Sequence, residues 1–396
     1  MYLLAIYNPV AGNSAARSVY EEHVYPLLAA HNHKVVQKVE TQRALHAADI
    51  VAQLVASRVD SDEISVILGS GDGTLHEIIN SFDVDNTDGA PIVSFILIPC
   101  GTANALFNSL FPSASPISHT QNLLHSLNAF VGLTKPHRRP LTLARTVLSR
   151  SHDSVPSAQN SSLSAIVIST ALHASILHDS ESLRQEMPGI ERFKVAAQKN
   201  STRWYQASAK FAPAPKAGTV QVYDPDLKAF KPHPEADKDA EVHLSGPFVY
   251  FLSTVNVDRL EPAFRISPLS STMPATEPVL DVIIVRPLRD PSIASEGPDA
   301  RSAFVPKLWK VLGGAYEDGA HVNMRYNSMG EVDVGHDGEA VVEYIRCGGW
   351  EWTPDESDVK AGLVCADGDI SAIDKGGKAS CSICEPSWNE RFFVYT

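Results

Sequence analysis

The stretch Val66–Asn80, VILGSGDGTLHEIIN, places one aspartate among three glycines at the junction of two predicted elements. The apolar run Ile64–Leu68 predicts a short buried strand, and the pattern from Thr74 to Ser81 predicts a helix. Glycine lets the backbone turn sharply and lets a ligand approach its N–H groups. A helix N-terminus also carries partial positive charge and unpaired N–H donors, so such a junction is typical of a phosphate site.

Two further junctions of this kind precede Leu110. The predicted strand Tyr2–Tyr7 leads into the segment NPVAGN at Asn8–Asn13, and Ser94–Ile98 leads into Pro99–Thr102. Short apolar strands that alternate with helices predict a parallel sheet covered on both faces. Loops at the carboxyl ends of parallel strands share one edge of the sheet, where ligands bind. Three glycine loops at that edge favour a polyphosphate or a nucleotide as the ligand.

The chain after about residue 140 has a different pattern. Strand signals recur there without regular helices between them, which predicts an antiparallel, β-rich second domain. Segments rich in serine or proline also predict disordered insertions. We therefore expect an α/β domain with a parallel sheet and nucleotide-binding Gly-rich loops, followed by a sandwich-like β-rich domain and an extension of unassigned role. The expected ranges are 1–140, 141–355 and 356–396, with the insertions near 149–162 and 212–241.

The composition of the chain restricts its possible binding partners. The formal net charge is −13, which argues against nucleic acid and against a polybasic membrane patch. An odd, sparse set of five cysteines indicates reduced thiols in the cytosol. Cys381 and Cys384 form a CxxC pair, but no second pair completes the usual zinc ligand set, so no metal site is predicted. No apolar run approaches the length of a membrane span, so contact with lipid would be peripheral.

The loop sequences narrow the kind of nucleotide site. The chain has no GxxxxGK[ST] motif, which excludes a P-loop NTPase. The glycines of Gly69–Gly73 form GxGxG rather than GxGxxG, and no clear strand-end acid follows about 20 residues later. A dinucleotide-binding fingerprint is therefore a poor fit.

Asp72 is the candidate catalytic residue. A carboxylate beside phosphates is repulsive unless it holds a metal or takes a proton. Phosphoryl transfer needs a residue that accepts the proton of the acceptor hydroxyl, and it needs Mg²⁺ to offset charge. The alternative is that Asp72 caps the helix that begins near Thr74, a common role for aspartate. The two companion loops favour catalysis over the cap.

Four motifs together resemble the diacylglycerol kinase catalytic domain, a family that includes sphingosine and ceramide kinases. NAD kinases and phosphofructokinases share the GGDGT element, but Ser70 with His76 and Glu77 points to the lipid kinases. The four motifs occur in the order of the family and cover Tyr2–Leu110. They are NPVAG at Asn8–Gly12, TQRALHA at Thr41–Ala47, GSGDGTLHE at Gly69–Glu77 with Asn80, and PCGTANA at Pro99–Ala105.

The resemblance continues into the second domain. The segment from His178 to Phe193 is similar to a stretch of sphingosine and ceramide kinases in which an acid faces the lipid head group and an arginine faces ATP. The matching residues are Asp179 and Arg192. Asp337–Glu339 resembles the closing element that returns to the nucleotide. Two features depart from the family: the run ALHASI before His178 lacks glycines and aromatics, and His336 replaces a small apolar residue.

The resemblance implies an ATP- and Mg²⁺-dependent lipid kinase that phosphorylates a primary hydroxyl of a sphingoid long-chain base, with Asp72 as general base. Diacylglycerol and ceramide remain alternative substrates, and a catalytically silent regulator that binds nucleotide or lipid remains an alternative function. The expected partners are ATP and a lipid at a membrane surface in the cytoplasm, without nucleic acid; a homodimer is left open. The expected nucleotide site comprises Asn8, Pro9, Gly12, Thr41, Ser70, Gly71, Gly73, Thr74, Glu77, Gly101, Thr102, Arg192, Asp337, Gly338 and Glu339. The expected lipid site comprises Asp179, Ser70 and Gly71.

Overall fold

The computed structural model describes residues 2–57, 63–82, 91–112, 119–132, 137–150, 161–187, 189 and 191–396. Within these ranges the chain groups by contacts into two units. The first unit contains residues 1–143, 259–262 and 384–396, and the second contains residues 144–258 and 263–383. The second unit is thus inserted into the sequence of the first.

The strands alternate with helices at the start of the chain and follow one another directly later on, as the change in sequence pattern predicts. The strands are β1 Tyr2–Tyr7, β2 Gln37–Glu40, β3 Glu63–Ser70, β4 Ile92–Pro99, β5 Arg138–Pro140, β6 Ala144–Ser149, β7 Ser161–Ser164, β8 Val167–Thr170, β9 Ala207–Ala212, β10 Gln221–Asp224, β11 Ala229–Pro232, β12 Val242–Ser245, β13 Tyr250–Thr254, β14 Leu280–Val285, β15 Met324–Tyr326, β16 Val332–Val334, β17 Glu343–Cys347, β18 Gly349–Pro354, β19 Leu363–Ala366, β20 Asp369–Ala372, β21 Lys378–Ile383 and β22 Phe392–Tyr395.

Most of the helices are short. A π-helical turn at Tyr20–Val24 joins the first two, and 3₁₀ turns lie at Pro287–Arg289 and Ala320–Asn323. The helices are α1 Ala16–Val19, α2 Tyr25–Ala30, α3 His46–Ala56, α4 Asp72–Ile79, α5 Ala105–Leu110, α6 His119–Leu123, α7 His125–Gly132, α8 Ala171–Ser182, α9 Glu191–Asn200, α10 Leu269–Thr272, α11 Pro298–Tyr316 and α12 Pro386–Asn389. No helix among the described residues is long and apolar enough to cross a bilayer.

The first unit is an α/β domain, which confirms that part of the predicted fold class. Its sheet has the order β2-β1-β3-β4-β22-β5, and all pairs are parallel except β22 with β5. The central strands β3 and β4 are almost completely buried, because helices cover a parallel sheet of this type. One core cluster joins the sheet to the π-helical turn, α2 and α7 through Tyr20, Leu28 and Phe130.

The second unit is β-rich and antiparallel, as predicted. One sheet has the order β11-β10-β17-β14-β13-β8-β19-β20 and another has the order β12-β9-β18-β21-β6-β7. The two sheets share an aromatic core, because the ring of Phe251 on β13 lies 5.2 Å from Trp350 and 4.9 Å from Trp352, both on β18. Apolar faces of alternating strands pack together in this way in a β-sandwich.

Some segments differ from the sequence expectations. Residues 212–241, expected to be a disordered insertion, contain β10, β11 and the turns around them. Proline is tolerated there because β11, which ends at Pro232, is an edge strand. Two helices, α8 and α9, interrupt a region expected to lack them. Most of the insertion expected near 149–162 lies outside the described residues.

The expected extension over 356–396 contributes to both units. β21 pairs on both sides inside the second unit, with β18 and with β6. β22 lies between β4 and β5 in the sheet of the first unit. The backbone carbonyl of Tyr395 accepts a hydrogen bond from Ser126 Oγ at 2.8 Å, and Phe392 is fully buried. The last strand is therefore an integral part of the α/β domain.

Candidate functional site

The strand order of the first unit locates its ligand-binding edge. The chain passes from β1 to β2 on one side and then to β3 on the other side of β1. In open α/β sheets, ligands bind outside the carboxyl ends of the strands where the order reverses in this way. The carboxyl ends of β1 and β3 lead into residues 8–13, the first loop, and residues 69–73, the second loop. The third loop, residues 99–104, follows β4.

Backbone hydrogen bonds connect the three loops. The Asn8 N–H donates to the Gly69 carbonyl at 2.9 Å, which joins the first loop to the second. The N–H groups of Cys100 and Gly101 both donate to the Ser70 carbonyl at 3.2 Å, which joins the third loop to the second. The segments that the sequence places at one sheet edge therefore form one connected surface.

Three glycines allow the loops to approach each other. A Cβ atom on Gly101 would lie 2.3 Å from the Cα of Gly71, which is closer than real Cβ atoms come. Gly12 has φ +53°, a left-handed conformation that favours glycine, and a Cβ there would lie 2.5 Å from the Cys100 carbonyl oxygen. One glycine from each loop thus lies where the loops meet. The main chain, rather than side chains, forms this surface.

Gly69 has a different role from the other glycines of the second loop. A Cβ on Gly69 would lie 2.3 Å from the ring of Tyr20. Tyr20 is fully buried at the π-helical turn, and its hydroxyl lies 2.9 Å from the Ile6 carbonyl and 3.0 Å from the Ile67 carbonyl. Tyr20 thereby braces the strands that lead into the first and second loops. The sequence contains no local signal for this contact, because Tyr20 and Gly69 are distant in the chain.

We expect Gly69→Ala to lower the free energy of unfolding by about 1–3 kcal/mol, the usual cost of overpacking. The new methyl group would meet a ring that has no room to move. Urea unfolding of the variant and of Gly132→Ala, whose Cβ meets no atom within 4 Å, measures the effect. The double variant Gly69→Ala/Tyr20→Leu should be no less stable than Tyr20→Leu alone. Wild-type stability of Gly69→Ala would contradict the packing argument.

Asp72 lies at the meeting point of the second and third loops. It is the first residue of α4, whose N-cap is Gly71, so it does not cap its own helix from the expected position. Its carboxylate accepts hydrogen bonds from the N–H groups of Ala105 at 2.7 Å and Leu106 at 3.3 Å. These amides belong to the first turn of α5, where unpaired donors attract a negative charge. Asp72 is half-buried, and α5 fixes its orientation.

Asn104 closes the third loop. It has φ +53°, which asparagine tolerates better than most residues. Its side chain accepts from the Gly101 N–H at 2.9 Å and donates to the Gly101 carbonyl at 2.8 Å. The PCGTANA motif contains this asparagine, so the sequence offered a signal for it. The sequence-based set includes neither Tyr20 nor Asn104.

The comparisons with known proteins agree with this geometry. Residues 2–134 match the model of the diacylglycerol kinase catalytic domain family. The match covers about a third of the chain, the part that contains the three loops. The chain is 27% identical to sphingosine kinase 1 of Arabidopsis thaliana over 217 residues, which cover 54% of this chain and 40% of that protein. It is 31% identical to human sphingosine kinase 1 over 112 residues, which cover 27% of each chain.

The chain spans less than half the length of these curated relatives. Among solved structures, a diacylglycerol kinase of Bacillus anthracis superposes with a TM-score of 0.51 at 13% identity, covering 100% of this chain and 97% of that chain. This likeness shows the fold. The superposition covers residues of both the first unit and the β-rich second unit.

Four more of the predicted nucleotide residues make contacts within or beside the loops. Asn8 Oδ1 accepts from the Val10 N–H at 3.1 Å, and the hydroxyls of Ser70 and Thr74 lie 2.7 Å apart. Glu77 accepts from the Leu45 N–H at 3.1 Å, and burial raises the pKa of Glu77 although that hydrogen bond opposes the shift. Glu77 therefore anchors the segment that follows Thr41.

The residues predicted in the second domain belong to the second unit. Arg192 is the second residue of α9, and its guanidinium lies 4.5 Å from the Phe193 ring. In the segment after β16, the Gly338 N–H donates to the Tyr326 carbonyl at 2.9 Å, and Glu339 pairs with Arg289 at 2.7 Å. Asp337 is exposed.

Asp179 is buried within α8. Its carboxylate accepts from Asn200 Nδ2 at 2.9 Å, lies 2.9 Å from His178 Nδ1 and forms an ion pair with Lys360. Burial alone would raise the pKa of Asp179, but the hydrogen bonds from Asn200, Lys360 and His178 outweigh it and hold the pKa well below its usual range. The carboxylate is therefore ionised at neutral pH and already has a cationic partner.

Proposed function

We propose that this protein is an ATP-dependent lipid kinase. The observation that carries the proposal is the contact of three glycine loops beside Asp72, at the strand-order reversal of a diacylglycerol kinase catalytic domain. Backbone amides at such a point bind phosphates without a side chain intervening. The sphingosine kinases to which the chain is similar support a phosphotransferase that acts on a lipid alcohol.

In this proposal the nucleotide binds across the outer face of the three loops. The amides of Gly12 and Gly71 would bind the triphosphate. The Gly101 N–H is already bound to the Ser70 carbonyl and to Asn104 Oδ1, so Gly101 would contribute by letting the second and third loops meet. Mg²⁺ would enter with ATP, held by phosphate oxygens and water as this ion commonly is, and would offset phosphate charge. Asp72 provides a carboxylate within these loops, and this carboxylate would face the charge of the phosphates.

Asp72 is the proposed general base. The proton of a primary lipid hydroxyl would move to the Asp72 carboxylate while the hydroxyl oxygen forms a bond to the γ-phosphorus of ATP. The bond from that phosphorus to the bridging oxygen breaks, and ADP leaves with the electron pair. The two amides of α5 would hold the carboxylate in one orientation throughout.

The proposed substrate is a sphingoid long-chain base, taken from a membrane surface by a cytoplasmic protein. Similarity to two sphingosine kinases supports this choice over diacylglycerol and ceramide. A panel assay tests it: purified protein, radiolabelled ATP with Mg²⁺, and sphingosine, ceramide or diacylglycerol in mixed micelles. Label in sphingosine supports the full proposal. Label in ceramide or diacylglycerol instead would identify that lipid as the substrate. If no lipid is labelled, the result supports the alternative function, a catalytically silent regulator that binds nucleotide or lipid.

The role of Asp179 can be tested with its partner Lys360. If Asp179 pairs with a substrate amine, Lys360 occupies the position that the amine would take. We expect Asp179→Asn to lower kcat/KM for sphingosine on the order of 10- to 100-fold, the usual worth of a hydrogen bond to a charged group. Lys360→Met should raise kcat/KM for sphingosine, because it removes the Lys360 ammonium that would compete with the substrate amine for Asp179. Neither change should alter kcat/KM for diacylglycerol.

A structural role predicts another result. If Asp179 only joins α8 to α9 through Asn200, both variants should reduce thermal stability and activity with every lipid to the same extent. Melting temperatures measured beside the kinetic parameters separate the two outcomes. Equal losses with sphingosine and diacylglycerol would remove the amine-pairing role.

A further inference from the structure

Glu40 occupies a position at the sheet edge that the sequence motifs do not include. It is the last residue of β2, in register with Tyr7, the last residue of β1. Asn8, which follows Tyr7 in the chain, begins the first loop. In nucleotide-binding α/β sheets, an acid at the end of the strand beside the first glycine loop commonly binds ribose hydroxyls. The acid expected after the second loop is absent, but Glu40 provides one after the first loop.

The surroundings fix the Glu40 carboxylate in place. Arg17 Nη2 lies 2.5 Å and 2.6 Å from its two oxygens, and the Tyr7 hydroxyl donates to it at 3.0 Å. Arg17 lies on α1, which follows the first loop directly. Both partners of the carboxylate thus belong to elements that flank the first loop. These hydrogen bonds lower the pKa of Glu40, so that it carries a full charge at neutral pH.

The carboxylate is held without being enclosed. About 33% of the Glu40 side chain remains exposed, and Arg17 is 58% exposed. An exposed pair of this kind contributes little to stability, so stability alone gives no strong reason for the arrangement. A carboxylate has more acceptor sites than its two partners occupy. A ligand hydroxyl can therefore bind to Glu40 without displacing Arg17 or Tyr7.

We propose that Glu40 accepts a hydrogen bond from the ribose 2′-hydroxyl of the nucleoside triphosphate and makes the site selective for ribonucleotides. The inference rests on the proposed function, since it assigns the sugar of the nucleotide whose phosphates the loops bind. Arg17 and Tyr7 are positioning residues for this carboxylate.

Calorimetric titration of the full chain with Mg·ATP and Mg·2′-deoxy-ATP tests the inference. The wild type should bind ATP about 10-fold more tightly than 2′-deoxy-ATP, as a hydrogen bond to a charged group allows. Glu40→Ala should weaken ATP binding to the 2′-deoxy-ATP level and leave 2′-deoxy-ATP binding nearly unchanged. Asp49→Ala is the matched control, because it also removes an exposed carboxylate paired with an arginine, Arg43. It should retain the wild-type ratio.

Two results would overturn the inference alone: a wild type that binds both nucleotides equally, or a Glu40→Ala variant that loses affinity for both by the same factor. A wild type that binds neither nucleotide would instead overturn the proposed kinase function, and this inference with it. Tyr7→Phe gives an independent reading. This variant keeps the charge of Glu40 but removes the hydrogen bond that the Tyr7 hydroxyl donates to it. The preference for ATP over 2′-deoxy-ATP should therefore fall only in part.

Discussion

Asp72→Asn should lower kcat by roughly 10²- to 10⁴-fold, the usual contribution of a general base. Asparagine has nearly the same shape, and its Oδ1 atom can still accept the hydrogen bond that the Ala105 amide donates at 2.7 Å to aspartate. The fold and the ATP affinity should therefore be close to those of the wild type. Steady-state kinetics with saturating ATP and lipid, together with ATP titration, measure both quantities.

Asp72→Ala is the comparison that separates catalysis from anchoring. Alanine removes the proton acceptor and the acceptor for the first turn of α5, so turnover and stability should both fall. The stability loss should be about 0.5–2 kcal/mol, as for removal of a helix cap. If Asp72→Asn keeps normal turnover while Asp72→Ala loses stability, Asp72 anchors α5 and does not act as the base.

Gly101→Ala should produce the second large effect. The added methyl group would lie 2.3 Å from the Gly71 Cα atom and 2.8 Å from Asn104 Oδ1, so the second and third loops must separate by about 1 Å. Misplacement of reacting groups by this amount can cost on the order of 10²-fold in rate. We expect a loss of that size in kcat/KM for ATP, with weaker ATP binding.

Gly132→Ala is the control for that experiment. Gly132 ends α7 in the same unit, and a Cβ there meets no atom within 4 Å. It should retain wild-type kinetics and stability. A Gly101→Ala variant with normal kcat/KM would show that the contact between the loops is not needed for nucleotide binding.

The sequence predicts the phosphate-loop edge of the first unit well, because the signals there are local. β1, β3 and β4 are predominantly apolar, and a glycine or proline lies at the end of each strand or within two residues of it. A parallel sheet buries both faces of such strands, so the runs indicate the sheet and the loops indicate its ligand edge. The contacts of Gly12, Gly71 and Gly101 then follow from the convergence of three loops at one edge.

The sequence does not predict contacts made by residues far apart in the chain. Asp72 is bound by amides more than 30 positions away, and Asp179 is paired with Lys360 from beyond β18. The prolines near 212–241 suggest disorder when only composition is considered. They are accommodated because β11 is an edge strand, which is a property of the assembled sheet.

The position of β22 has a consequence for biosynthesis. Roughly 250 residues separate the last residue of the first segment, Leu143, from Phe392. At about 5–20 residues per second, a ribosome needs some tens of seconds to cross that interval. Throughout this time the nascent α/β domain exposes the unpaired edge of β4, a surface on which strands of other chains can add. A polypeptide terminated before β22 would keep that edge open, so the sheet of the first unit is completed only after the second unit has been translated.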